Sequence, residues 1–384
     1  MTSSPETYAS RIVDSISLID PGQWNALCPD NQPFISHEFL AALEQYDCVG
    51  VESGWLPKHL TLHGADGDLI AAMPLYLKNH SWGEFVFDFA WARAYASAGR
   101  DYYPKLVSMC PFTPVTGRRI LASPEYPEAP RQLIHKAIGL TQKLAASSLH
   151  VLYPQRHDLH CLEEATLMTR QDVRFLWTNA GYSDFDDFLT TFSARKRKSL
   201  RRERRRIDEQ QILVETVRAE QLTLDEWRIV YELCAITFLR RGNHPYLSLE
   251  FFLGLAPILG ENLLVNVARI DKQIVGAAIL FRDDETLYGR YWGGVDGLDC
   301  LHFETCYYRG IEYCIEQNLK AFDPGTQGEH KLKRGFSPVA TWSSHWIADD
   351  RFSAAIRSYL KEERKQVEAY MTELCNHLPF RTEP

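Results

Sequence analysis

Residues 263–347 constrain the fold more than any other stretch, because three strand-like runs there are followed by a regular alternation of helix and strand. Apolar runs at 263–270, 273–281 and 286–292 are separated only by Asp271-Lys272 and by residues 282–285. Turns that short make neighbouring strands antiparallel. A helix at 303–317, a strand at 320–323, a short helix at 327–333, a strand at 340–347 and a last helix at 351–374 follow. Three meandering strands and then this alternation predict an α+β unit in which helices flank a mixed sheet.

The first half of the chain has a similar order. After an irregular helical entry, whose helix runs through Phe39, Leu40 and Leu43, strands at 60–63 and 69–77 flank the turn-rich Gly64-Ala65-Asp66-Gly67-Asp68. Further strands at 106–109 and 119–121, a helix at 130–147, a strand at 149–153, a helix near 159–167 and a strand at 174–177 complete it. Asp68-Leu69-Ile70-Ala71-Ala72-Met73-Pro74-Leu75 echoes Gln273-Ile274-Val275-Gly276-Ala277-Ala278-Ile279-Leu280, each after a strand and an Asp-containing turn. A chain of 384 residues exceeds what one core fills, so we expect tandem copies of one α+β fold, with domains at 1–180 and 181–384. Composition (45% hydrophobic, 24% charged) predicts a folded chain throughout.

The second half opens with a helix at 185–210, whose apolar positions Phe188, Leu189, Phe192, Leu200 and Ile207 form a narrow buried stripe. Further helices are expected at 224–240 and after the N-cap Ser248. The net charge of −8 hides an asymmetry. Residues 195–206 hold nine Lys or Arg, among them Arg195 and Lys196, and one acid, Glu203. That segment therefore carries +8 and the remainder −16, which concentrates an anion-attracting surface on one helix. The partner of such a helix is RNA phosphate, an anionic lipid or an acidic substrate, unless the run is simply a solvated face. No aromatic residue interrupts the run, which disfavours base stacking.

Several classes are excluded or disfavoured. No run of about 18 apolar residues predicts a membrane span, and residues 1–20 lack the order of a signal peptide, so a cytoplasmic protein is expected. The nine cysteines show no CxxC pair. His302 and Cys306 stand four apart without a second ligand pair, so no metal site is expected. Gly-x-Ser-x-Gly, Walker and HExxH motifs are absent from the sequence.

Chemistry-bearing residues gather near the end of the repeat. Gly325, Gly328 and Gly335 bracket a helical turn on which Gln327, His330, Lys331 and Arg334 share one face. Together they read as a grip on a phosphate or carboxylate with His330 as proton shuttle, or else as a solvated helix between two strands. Arg290, Tyr291 and Trp292 end the third strand, where a strand opening into a loop commonly lines a pocket. Glu304 is placed to accept a proton from an attacking amine and Tyr307 or Tyr308 to protonate a leaving group. The bland alternative puts the aromatics in the core and Glu304 at a favourable helix start.

The strand and helix order at 263–347 resembles the acetyltransferase superfamily that includes the GNAT enzymes. Tyr288-Gly289-Arg290-Tyr291-Trp292-Gly293, Leu301-His302-Phe303-Glu304-Thr305-Cys306-Tyr307-Tyr308 and the segment 325–336 are similar to signatures of its FemAB-like branch, the predicted N-acyltransferases of peptidoglycan biosynthesis or recognition. Pro111-Phe112-Thr113-Pro114-Val115-Thr116-Gly117 and residues 193–206 resemble that branch too. The resemblance implies GNAT/Fem-type domains and an N-acyltransferase that moves an acyl group from an activated donor to an amine of a small molecule or peptide. It leaves two alternatives: an aminoacyl-tRNA-dependent ligase gripping tRNA through residues 195–206, or a non-catalytic module recognising a peptidoglycan precursor. GNAT enzymes hold the pyrophosphate of coenzyme A on an Arg/Gln-x-x-Gly-x-Gly/Ala loop. Gly293-Gly294-Val295-Asp296-Gly297-Leu298-Asp299 departs from that pattern, and its two acids repel phosphate, which puts acyl-CoA in doubt as donor.

Overall fold

The computed structural model describes residues 8–28, 31–326 and 328–381. It divides into two compact units, residues 1–172 with 341–367, and residues 173–340 with 368–384.

In the first unit, Ala9–Val13 pairs antiparallel with His59–His63, which pairs with Leu69–Met73. The ladder is interrupted at Pro74, which has no N–H to donate; Lys58 N still donates to Leu75 O at 2.8 Å, and pairing resumes as Trp55–Pro57 against Tyr76–Lys78. Tyr76–Lys78 pairs antiparallel with Lys105–Ser108, which runs parallel to Ser148–Leu152. The helix Ala129–Lys143 links that parallel pair and packs Leu133, Ile134, Ala137 and Leu140 onto the apolar sheet face with Leu62, Leu106 and Leu149. The other face is polar. Lys78, Lys105, His150 and His345 are all buried there, and Lys105 donates to Ser81 and Glu84, both at 2.8 Å, and to Asp88 at 2.5 Å.

The second unit repeats the plan. Leu213–Arg218, Leu263–Ile270, Gln273–Arg282 and Thr286–Gly294 form an antiparallel meander, and Thr286 to Tyr288 run parallel to Ala321–Asp323. The linking helix spans residues 301–316 and buries Tyr308, Ile311 and Cys314 against Phe322 and Phe336. Ser248 caps Leu249–Leu259 by accepting from Phe251 N at 3.2 Å, as its position in the sequence predicts. The α+β repeat with mixed sheets flanked by helices is thus the observed fold.

Three details depart from the sequence expectation. The domain boundary is not a single cut at 180. In each unit the strand after the linking helix is flanked by a strand contributed from elsewhere: residues 343–347 pair with 148–152 in the first unit, and 177–178 with 321–322 in the second. The helix expected at 185–210 is two, Phe185–Thr190 and Ala194–Glu209. Between them Ser193 N donates to Pro379 O at 3.1 Å, and Arg381 N to Thr191 O at 2.9 Å, so C-terminal main chain satisfies the broken turn. Finally, Ala9–Val13, Leu213–Arg218 and the helix Phe89–Ser97 carry no clear sequence signal. Both strands lie at sheet edges with little burial, where apolar alternation is weakest.

Candidate functional site

The site begins where the parallel pair in the second unit ends. Pairing of Thr286–Gly294 with Ala321–Asp323 stops at Tyr288 and Asp323. On the other edge the register slips, since Ile279 faces Tyr291 while the next residue, Leu280, faces Gly289. Arg290 is therefore the extra residue of a β-bulge, a device that re-aims side chains. Its neighbours go different ways. Trp292 is half-buried with its ring 5.2 Å from His302. Tyr291, expected to touch the ligand, turns into the core between Phe238 and Phe252, at 5.5 and 5.6 Å. Gly293 serves packing, because a Cβ there would lie 2.0 Å from the Leu233 carbonyl.

The helix that follows contains one π-helical turn, Glu304–Tyr308, a feature frequent at functional sites. Tyr307 Oη lies 2.8 Å from His330 Nε2. Gly328, at φ +115°, makes this possible, since a Cβ would sit 2.3 Å from the His330 ring. Burial holds the Tyr307 phenol well above its ordinary range, so its proton stays on. Burial, and then Arg334, Lys331 and Lys333, depress His330, which leaves the imidazole uncharged at neutral pH. His302, its ring 5.9 Å from that of His330, is pushed down to about 4 by burial and by His330.

The single helical face expected for 327, 330, 331 and 334 does not form as an α-helix. Glu329–Arg334 is a 3₁₀ helix, in which residues three apart eclipse, so Lys331 and Arg334 are buried while His330 is half-buried and Lys333 exposed. Gln327 lies outside the described residues. Lys331 Nζ donates to Gly325 O at 2.6 Å, its one acceptor among the described residues. Burial pushes this amine down to about 8, against the attraction of Asp323. Asp323 is itself held by Arg174 at 2.7 Å and accepts from Gly325 N at 3.0 Å, which fixes the turn. Arg334 reaches away, to Glu203 at 2.8 Å and His330 O at 2.9 Å, with its guanidinium 3.3 Å over the Phe303 ring.

Glu304 faces the basic helix instead. It pairs with Arg204 at 3.0 Å, its Oε2 has no hydrogen-bond partner among the described residues, and burial raises it to about 7 despite that arginine. The structure therefore joins Tyr307, His330, Lys331 and Arg334 around the 3₁₀ helix and puts Glu304 in a separate ion-pair network. Sequence reasoning does not single out Arg174, for which spacing carries no signal, or the inward role of Glu203, whose signal is its being the one acid in a basic run.

Along Ala194–Glu209, Leu200 and Ile207 are buried. Arg201 pairs with Asp186, Arg204 with Glu304 and Glu312, and Arg206 with Asp299. Arg195, Lys196, Arg197, Lys198, Arg202 and Arg205 have no carboxylate partner among the described residues. The segment 293–299 does not fit a coenzyme A pyrophosphate. Gly293, still in the strand, is committed to helix packing, and Asp296 and Asp299 are exposed carboxylates answered by Arg240 and Arg206.

Among the described residues no helix is long and apolar enough to cross a membrane. No curated protein sequence matches the chain. Among solved structures, the C-terminal domain of a putative lysylphosphatidylglycerol synthetase from Agrobacterium fabrum superposes on 90% of this chain and 97% of its own, with a TM-score of 0.54 at 11% identity. FemX superposes on 88% of this chain and 98% of its own, with a TM-score of 0.54 at 12% identity. At such identities the likeness is one of fold. Sequence membership is more definite: a family model covers residues 15–382, and the chain belongs to the FemAB-like family of peptidoglycan biosynthesis/recognition.

Proposed function

We propose that the chain is an N-acyltransferase that passes an aminoacyl group from aminoacyl-tRNA to an amine acceptor, a peptidoglycan precursor being the class its family description favours. The observation that carries this reading is the 2.8 Å Tyr307–His330 hydrogen bond beside a buried ammonium with hydrogens to spare. The amine nitrogen attacks the ester carbonyl carbon and the oxygen becomes anionic, a charge that Lys331 is suited to stabilise. The proton lost by the nitrogen passes through Tyr307 to His330 and returns through Tyr307 to the departing ribose oxygen. An amide and a free hydroxyl result. The basic-helix cations that lack a carboxylate partner favour a donor on a polyanionic carrier, and the ill-fitting loop at 293–299 disfavours acyl-CoA.

Purified protein should form amide product from charged tRNA and an amine acceptor, followed by mass spectrometry. His330→Gln and Tyr307→Phe are each expected to lower kcat by about 10²-fold with the fold retained. The pH profile of kcat/KM should rise on an acid limb below 6.5, as His330 loses its proton, and fall near 8 as Lys331 loses its own. Turnover with acyl-CoA but not with charged tRNA would reject the donor. Tight muropeptide binding without any turnover would leave the recognition role named in the family description.

Replacing Arg195, Lys198, Arg202 and Arg205 by glutamine should flatten the dependence of tRNA affinity on salt, by about 0.7–0.9 in log–log slope for each phosphate that is no longer neutralised. An unchanged slope excludes the helix as the tRNA grip.

A further inference from the structure

Glu203 is the only acid among residues 195–206, and it is turned inward while its neighbours Arg202 and Arg205, which lack a carboxylate partner among the described residues, are exposed. Its Oε2 accepts from the Tyr308 hydroxyl and from Arg334 Nη2, the latter at 2.8 Å. Tyr308 is 0% exposed, next to Tyr307 on the π-helical turn. Arg334 is 4% exposed, donates through Nη1 to the carbonyl of His330 at 2.9 Å, and lies over Phe303. One carboxylate thus ties the basic helix to both elements that carry the Tyr307–His330 pair.

We infer that Glu203 is a positioning residue, which through Arg334 and Tyr308 sets the distance and the electrostatic field at the Tyr307–His330 hydrogen bond. The inference rests on the proposed function only for the reaction it serves. A purely structural ion pair would lend stability and nothing else. The geometry asks for more, because Arg334 is bonded to the main chain of the histidine itself. The charged and titratable groups around His330 are Arg334, Lys331, Lys333 and Glu329 on its own segment, and His302 and Tyr307 on the helix at 301–316. From the C-terminal helix, Tyr370 donates to Glu329 at 2.6 Å. Within this set Glu203 is the carboxylate that neutralises Arg334.

Glu203→Gln keeps an acceptor for both donors and removes the charge. Without that charge, Arg334 disfavours the imidazolium more strongly. The His330 ring resonance, assigned by its loss in His330→Gln, is expected to titrate in Glu203→Gln with a midpoint lower by about half a pH unit. kcat should drop about 10- to 100-fold with KM within about twofold, as for a small misplacement of reacting groups. Glu203→Asp, which restores the charge on a shorter arm, should recover the titration midpoint in part, and it supplies the measurement if the glutamine variant does not fold. An unchanged midpoint together with unchanged kcat in a folded variant overturns the positioning role. The titration needs no turnover, so the two ideas fail separately: a lowered midpoint in a protein that transfers no acyl group sinks the proposed function and keeps this one.

Discussion

Lys331→Met is expected to lower turnover sharply while making the protein more stable. The ammonium is 2% exposed and its one acceptor among the described residues is a neutral carbonyl. Burial brings its folded value to about 8, against an ordinary value of 10.5. Between those two values the unfolded chain holds a proton that the native protein has released. Stability of the wild type therefore rises as pH climbs from about 8 to 10.5, and the penalty is fully present below 8. At about 1.36 kcal/mol for each pH unit of difference, methionine should gain roughly 3 kcal/mol at pH 7. That corresponds to about 5 °C or more in Tm for a unit of this size, with the gap to wild type closing by pH 10.5. If Lys331 faces the developing oxyanion, kcat should fall about 10²- to 10³-fold, as for loss of one such donor. Calorimetry at pH 7 and 10 with the transfer assay checks both halves. A variant that is less stable than wild type at pH 7, or one that keeps its turnover, refutes the account of this residue.

Lys105→Met should do the reverse, although it makes the same chemical change at an equally buried lysine. Lys105 is 0% exposed but touches two carboxylates, Glu84 and Asp88, and the Ser81 hydroxyl. Attraction from those acids outweighs burial and raises its value above the ordinary one. Removing it leaves the buried Asp88 without its cation and Glu84 with Lys78 alone, at 3.3 Å, and loss of one partner from a buried pair costs about 3–5 kcal/mol. We expect the first unit to melt well below its wild-type temperature, seen as lost protection of the amides of residues 105–108 and 148–152 in hydrogen exchange. A companion triple variant, Lys105→Met with Glu84→Gln and Asp88→Asn, should recover much of the loss. If the single variant keeps the wild-type melting temperature, the network is not holding that sheet face together.

These two lysines mark where sequence reading stops. In both, the residue type is plain and the neighbours are not, because the partners of Lys105 come from a loop about twenty residues earlier and Lys331 folds back on its own turn. The same limit applies to the candidate site. Glycines at 325, 328 and 335 and the cluster of basic residues between them point to the segment, since glycine spacing is local information. Which way His330, Lys331 and Arg334 face depends on 3₁₀ instead of α-helical winding, which glycine spacing does not specify. Tyr291 belongs by motif to the site and by strand alternation to the core, and the bulge at Arg290 decides its side.

Sequence alone determined the elements whose causes are short-range: the strand Leu263–Ile270, found with the bounds expected, the Ser248 cap, and the repeated order of meander, helix and strand. Apolar periodicity and turn residues act within a few positions, so they can be read without coordinates. The tertiary structure alone decided the break at residues 191–193, whose apolar stripe runs through it unbroken and whose main chain bonds to residues 379–381. It alone also decided which strands complete each sheet and the inward turn of Glu203. Backbone hydrogen-bonding groups are alike at every strand edge, and a carboxylate in a basic run has no local cue to its partner. Those outcomes are set by what the rest of the chain brings alongside.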